Sequence, residues 1–279
     1  MKLNINTLYI VSTPIGNLDD ITIRAIEVLK NSDIILCEDT RRSLKLLNHL
    51  KIKKKLISYH KFNEKKQVNS VIEHLKSGKI LTLISDAGTP LLSDPGKLLI
   101  NCCIEKNLKV ISIPGASSIT SAMSLTGFKD QFLFYGFLPK KENELNKVLS
   151  DLSKYKFSLI FFVPSLKINF YITVFKKFFS GRRLFIAKEL TKVHEEIYRG
   201  KVETFKIFKN QIKGELTVVI SDAKIEKKSL NKEKIINKIK RYLKKYSLKD
   251  TVDLIIETEK ANKKEIYQLC LKIKNEKSN

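Results

Sequence analysis

Acidic residues are in short supply in this chain of 279 residues: 29 Asp and Glu face 53 Lys and Arg, a formal net charge of +24. Such a field draws in polyanions, RNA foremost, although a lysine-rich surface also serves simply as a solvated face. Cysteine is limited to Cys37, Cys102, Cys103 and Cys270, with no C-x-x-C pair. That argues against a disulfide framework or a thiolate metal site and predicts buried, reduced thiols. No apolar run approaches the roughly 18 residues that span a bilayer. Met1 to Val11 has neither a long apolar core nor a small-residue cleavage site, so a cytoplasmic protein with no membrane partner is expected. Neither G-x-x-x-x-G-K-[ST] nor G-x-G-x-x-G occurs, which removes the P-loop and the dinucleotide fingerprint from consideration.

Glycine numbers only ten, and four of these, Gly16, Gly88, Gly96 and Gly115, fall in three loops that follow apolar runs. The loops are LYIVSTPIGNLDD from Leu8, ILTLISDAGTPLLSDPG from Ile80 and KVISIPGASSITSA from Lys109. Glycine just past a strand lets the backbone turn sharply and lets a ligand reach the main chain, which is how open α/β sheets build pockets at strand C-termini. These loops are the candidate active site.

Between Thr7 and Leu125 short apolar runs alternate with amphipathic stretches five times, which predicts an α/β domain with a mostly parallel sheet over residues 1–125. Thr126 to Lys140, with Gly127, Gly136 and Pro139 around the aromatic run Phe132 to Phe137, reads as a packed interdomain connection. A second α/β domain is expected over residues 126–222. Its closely spaced strands near Arg183, Glu195 and Glu215 predict antiparallel pairing in a mixed sheet. Beyond it, basic residues outnumber acidic ones by about two to one, and helical spacing at Ile235, Ile239 and Tyr242 and at Val252, Ile255 and Ile256 predicts a basic helical region over 223–279.

In order along the chain, TPIGNLDDITIRA, CEDTR, SYHKFNE, SDAGTPLLSDPG, PGASS, FYGFLP, ELTKVHEE and KGEL resemble the ribosomal RNA small subunit methyltransferase I family, a branch of the tetrapyrrole methylases. The resemblance runs from about Leu8 to Ile220. It implies an α/β, two-domain tetrapyrrole methylase-like fold of the class III S-adenosylmethionine (SAM) methyltransferases, with a small C-terminal helical appendage. It also implies SAM as cofactor, bound between the domains, and methyl transfer to the ribose 2′-hydroxyl of a decoding-region cytidine in 16S rRNA, cytidine 1402 in the family. The partners implied are 16S rRNA within the 30S subunit and a second copy of the chain in a homodimer.

By that resemblance Pro14, Gly16, Asn17, Asp86, Gly88, Thr89, Ser117 and Ser118 hold SAM, while no metal is called for. Asp86 reads equally as a turn residue, and the two serines as helix N-caps. Glu38, Asp39 and Arg41 belong to the family's E-D-T-R. A carboxylate there is a candidate to take the hydroxyl proton, with Arg41 toward a phosphate; the plain alternative is an acidic helix N-terminus. His60 is a second candidate base and Tyr59 a base-stacking ring, whereas a lone histidine at a strand end is also ordinary structural chemistry. His194 and Glu195 are expected on a substrate loop, and His49 and His74 in structural roles. One departure stands out. Where the family carries F-Y-E-S-P-H-R, this chain has Val163, Leu166 and Lys167 in place of the glutamate, histidine and arginine. Two other readings are a tetrapyrrole or diphthine methyltransferase, which the positive charge does not favour, and a non-catalytic RNA-binding assembly protein, which the intact loops do not favour.

Overall fold

The five residues Thr7–Val11 (β1) are all buried, and they divide between two apolar clusters, Leu8 and Ile10 on one face and Tyr9 and Val11 on the other. A strand apolar on both faces belongs inside a helix-covered parallel sheet. The structure, a computed structural model, describes residues 3–223, 232–259 and 263–275. After β1 it alternates through α1 (Ile23–Asn31), β2 (Ile34–Cys37), α2 (Thr40–His49), β3 (Lys55–Ser58), α3 (Glu64–Lys76), β4 (Ile80–Ile84), α4 (Lys97–Glu105), β5 (Lys109–Ile113) and α5 (Ser118–Ser124). Every pairing in this first sheet is parallel, in the order β3-β2-β4-β1-β5. The chain works outward to β3 on one side and to β5 on the other, so the loops after β1 and β4 meet where the direction reverses. That is the place at which open α/β sheets bind ligands.

A second sheet follows: β6 (Phe132–Phe137), α6 (Glu142–Ser153), β7 (Ser158–Pro164), α7 (Ile168–Phe178), β8 (Arg183–Lys188), β9 (Glu196–Lys201) and β10 (Glu215–Ile220). The order is β6-β7-β10-β8-β9, with β6 parallel to β7 and all other pairs antiparallel, so the sheet is mixed as expected. The aromatic run read as a connection is β6 itself. Its register slips between Phe134 and Gly136, and Gly136 takes a φ of 83°, so the glycine that reads as loop punctuation marks a bulge in an edge strand.

One face of the second sheet packs on α6 and α7 around Phe161 and Phe175. The other face, through Ile160, Phe185, Ala187 and Val219, packs on Ile15, Ile119 and Ala122 from the first half of the chain. This shared cluster joins the two sheets into one compact unit that ends at Ala223. The remaining described residues form α8 (Lys232–Tyr242), α9 (Leu248–Glu259) and α10 (Lys263–Asn275), with their own core of Ile235, Ile239, Val252, Ile255, Ile266 and Cys270. Among the described residues no helix is long and apolar enough to cross a membrane.

Candidate active site

The loops after β1 and β4 are stitched together. Thr13 donates its N–H to the Gly88 carbonyl at 2.9 Å and accepts from the Gly88 N–H at 3.0 Å, while the Ser12 and Thr89 hydroxyls lie 3.0 Å apart. Gly88 has a φ of 77°, and a Cβ there would come within 3.2 Å of the Ile15 side chain, so the position calls for glycine on both counts. The loop after β5 closes on the same point, since a Cβ on Gly115 would stand 3.0 Å from the Ser12 Cβ.

Against these loops the second sheet encloses a cavity of about 320 Å³. Gly88, Thr89, Ser117 and Ser118 line it from the first sheet, and Phe162, Val163, Leu216 and Thr217 from the second. Ser117 stands at the N-cap of α5 but its side chain makes no capping hydrogen bond, so its hydroxyl is not consumed by the helix. Main-chain and hydroxyl groups interspersed with aliphatic and aromatic ones suit a ligand with a polar amino-acid tail and a flat purine.

Of the eight expected SAM residues, the four just named line this cavity. Pro14, Gly16, Asn17 and Asp86 are not among its lining residues. Ile15, between Pro14 and Gly16, is the lining residue of the first loop. A Cβ on Gly16 would meet Thr191 Oγ1 at 2.8 Å and the Leu190 carbonyl at 2.9 Å, and the Asn17 N–H donates to Thr191 Oγ1 at 3.0 Å. These two residues therefore fasten the first loop to the turn after β8. The Asp86 carboxylate accepts the Asp39 N–H at 3.1 Å and lies 3.4 Å from an Arg42 nitrogen, which ties the loop after β4 to the start of α2.

Glu38, Asp39 and His60 follow the neighbouring strands β2 and β3, so the carboxylates and the imidazole occupy one edge of the first sheet. Burial and the nearby Asp86 charge push the Glu38 carboxyl upward. Asp39 is drawn the other way, to about 2, because it pairs with the Arg41 guanidinium through both oxygens and accepts the Arg41 backbone N–H. It is also the N-cap of α2, as the plain reading of an acidic helix start expects. Arg41 is thereby oriented outward by Asp39, with most of its side chain exposed. His60 Nδ1 accepts the Phe62 N–H at 3.2 Å, and Asn63 Oδ1 accepts the His60 N–H at 2.8 Å, so both residues shape the turn that leads into α3.

Tyr59 departs from expectation. It is fully buried in the core of the first sheet with Leu36, Val68 and Leu83, and burial raises its hydroxyl pKa. A side chain in that position stacks on no nucleobase. The exposed ring of this segment is Phe62, 91% exposed and edge-on to His60 with centroids 6.1 Å apart. His194 and Glu195 lie on an exposed turn, where Glu195 Oε2 accepts the Thr191 N–H at 2.6 Å. They are away from the cavity lining. Val163, at the position where the resemblance leads to glutamate, is 3% exposed and forms cavity wall.

Asp94, in the SDAGTPLLSDPG run, has no local sequence signal that marks it as a site residue. It lines the cavity, and its carboxyl is pushed up to about 6 by burial first and then by the charges of Glu38 and Asp86. Phe162, Leu216 and Thr217 were also missed. They reach the cavity through strand pairing in the second sheet, for which no local signal exists.

Solved structures share this two-sheet architecture. The methyltransferase CobJ superposes with a TM-score of 0.60 at 14% identity, covering 77% of this chain and 94% of that one. Uroporphyrin-III C-methyl transferase from Thermus thermophilus, complexed with S-adenyl homocysteine, gives 0.56 at 13%, covering 77% and 97%. The fold is thus that of the tetrapyrrole methylases, a class of SAM-dependent methyltransferases. Residues 7–206 match the family described as Tetrapyrrole (Corrin/Porphyrin) Methylases. A ribosomal RNA small subunit methyltransferase I from Rickettsia prowazekii is 42% identical over 273 residues, 96% of this chain and 97% of the relative. One from Mesomycoplasma conjunctivae is 44% identical over 227 residues, 81% and 94% respectively. The chain belongs to the tetrapyrrole methylase family, in its ribosomal RNA small subunit methyltransferase I branch.

Proposed function

We propose that this protein methylates the ribose 2′-hydroxyl of a decoding-region cytidine in 16S rRNA, acting in the cytoplasm on the 30S subunit. The observation that carries the reading is the 42% identity along 96% of the chain to a ribosomal RNA methyltransferase, basic C-terminal region included. A net charge of +24 supports an RNA substrate over a small tetrapyrrole.

SAM, when bound, supplies a methyl group made electrophilic by its sulfonium. In this reading the loops at Gly88–Thr89 and Ser117–Ser118 hold it by main-chain and hydroxyl groups, and Ile15 and Phe162 supply apolar surface. Pro14, Gly16, Asn17 and Asp86 keep those loops in register. The nucleoside approaches from the edge of the first sheet that carries Glu38, Asp39 and His60, with Arg41 oriented toward a phosphate and the exposed His194–Glu195 turn contacting RNA farther out. A ribose hydroxyl is a poor nucleophile until its proton is taken up, so a carboxylate or imidazole facing the nucleoside must act as acceptor.

A homodimer is part of the proposal. β6 is an edge strand, and Phe132, Tyr135 and Phe137 along it are all partly exposed, as a strand covered by a second copy would be. Incubating the protein with labelled SAM and either 30S subunits, free 16S rRNA or a corrin precursor tests the reading. Label in the 2′-O-methylcytidine of 16S rRNA is expected, and label only in the corrin would overturn it. Sedimentation equilibrium tests the dimer.

A further inference from the structure

Two carboxylates line the cavity, and they differ in what holds them. Glu215 lies 3.1 Å from the Lys192 ammonium, whereas Asp94 takes part in no ion pair among the described residues. Asp94 is carried on a loop built under backbone strain. Leu91 and Ser93, neither of them glycine, have φ values of 74° and 76°, a conformation that side-chain-bearing residues rarely adopt and that persists where the surroundings enforce it. The surroundings here are visible: a Cβ on Gly136 of β6 would stand 2.9 Å from Ser93 Oγ, so the second sheet is pressed onto the loop. Leu92 and Ser93 are exposed and line the rim of the cavity, while Gly96 is buried beneath them. Asp94, between them in sequence, is half-buried and lines the cavity.

We infer that Asp94 is the proton acceptor for the methylated hydroxyl, an assignment that rests on the proposed 2′-O-methyl transfer. As the hydroxyl oxygen bonds to the methyl carbon, the carbon–sulfur bond breaks and its electron pair stays on sulfur. The hydroxyl proton passes to the Asp94 carboxylate, so charge and atoms balance without a further reactant. The electrostatics agree. Burial and the facing carboxylates of Glu38 and Asp86 raise the proton affinity of Asp94, with a Ser85 hydrogen bond opposing them; Asp86 is itself partly offset by Arg42, and Glu38 by His60 and Arg42. A carboxylate tuned to about 6 is ionised at neutral pH yet takes a proton more readily than an ordinary aspartate. Asp39, at about 2 and pinned by Arg41, is the weaker acceptor.

The test is single-turnover methylation of 30S subunits from pH 5 to 8 by the parental protein, Asp94→Asn and Asp94→Glu. Calorimetric SAM affinity and a carbon-13 NMR titration of the aspartate carboxyls accompany it. The parental rate should rise with pH to a plateau through an apparent pKa near 6, matched by a carboxyl resonance that vanishes in Asp94→Asn. That variant should bind SAM within a few-fold of parental, confirming its fold, yet transfer methyl about a hundredfold more slowly and without the pH limb. Asp94→Glu should recover part of the rate. Parental kinetics in Asp94→Asn would overturn the assignment, and so would a loss of SAM affinity as large as the loss of rate, which makes Asp94 a SAM ligand. If the parental protein itself leaves 30S subunits unmethylated, the functional reading falls and the inference with it.

Discussion

Asp86 and Asp39, 47 residues apart in sequence, are joined by a hydrogen bond of 3.1 Å from the Asp39 backbone N–H to the Asp86 carboxylate. The bond ties the start of α2, and with it the E-D-T-R segment, to the loop after β4 that carries Gly88. Asp86 is outside the cavity lining, so in the proposed reading its influence on SAM is indirect.

Asp86→Ala should consequently lower stability by about 2 kcal/mol, the scale of a charge-assisted hydrogen bond lost with a partner left behind. Urea unfolding measures this. SAM affinity, read by calorimetry, should fall by no more than about tenfold, whereas Gly88→Val, which fills space next to Ile15 at a positive φ, should remove most of it. Equal losses of affinity in both variants would place Asp86 in direct contact with SAM.

The bidentate pair between Asp39 and Arg41 predicts a pH dependence of defined sign. Arg41 lowers the folded-state carboxyl to about 2 from an ordinary value of 3.8. A depressed carboxyl contributes stability that is fully present above its unfolded value and is lost as pH falls through the folded one. Thermal midpoints should therefore drop between pH 4 and pH 2 by more in the parental protein than in Asp39→Asn. Both residues are at the surface, so the difference should be small and should shrink in high salt. A variant with the same acid limb as the parent would show that the pair adds nothing.

How far the sequence alone reaches can be seen residue by residue. The first sheet was legible because its three central strands, β2, β4 and β1, are buried on both faces and appear as short apolar runs between amphipathic helices, and glycines follow the ends of β1, β4 and β5. Tyr59 was misplaced because an aromatic at a strand end looks the same whether it points into the core or out of it; only packing against Val68 and Leu83 decides. Asp94 was passed over because it is one of two aspartates in a single loop, and nothing local separates the one that braces α2 from the one that lines the cavity. Val163 and Leu216 form cavity wall as register partners on β7 and β10, a pairing across about fifty residues that leaves no mark on either segment.

The C-terminal charge gives a third prediction. Lys240, Arg241, Lys244 and Lys245 are all exposed, at the end of α8 and just beyond it. If they neutralise phosphates, changing all four to Gln should weaken binding to 16S rRNA and reduce the slope of log K against log salt by up to about four units, one per lost contact at most, with SAM affinity unchanged. Filter binding across a salt series provides the measurement. An unaltered slope would assign these side chains to solvation.

The last prediction separates the two rings of the loop after β3. The Tyr59 hydroxyl is buried and has no hydrogen-bond partner among the described residues, so Tyr59→Phe removes an unsatisfied group without opening a hole. It should leave methyl transfer unchanged and keep stability equal or raise it by about 1 kcal/mol. Phe62 is the reverse case. Its ring contributes nothing to the core, sits beside His60 on the edge that carries Glu38, and offers a free face to a splayed nucleobase, an interaction worth about 1 to 3 kcal/mol in single-stranded recognition. Phe62→Ala should therefore raise KM for 30S subunits by about five- to a hundredfold while leaving SAM affinity and unfolding midpoint in place. A KM that rises in Tyr59→Phe and stays fixed in Phe62→Ala would mean that the loop rearranges on binding to bring the buried ring out.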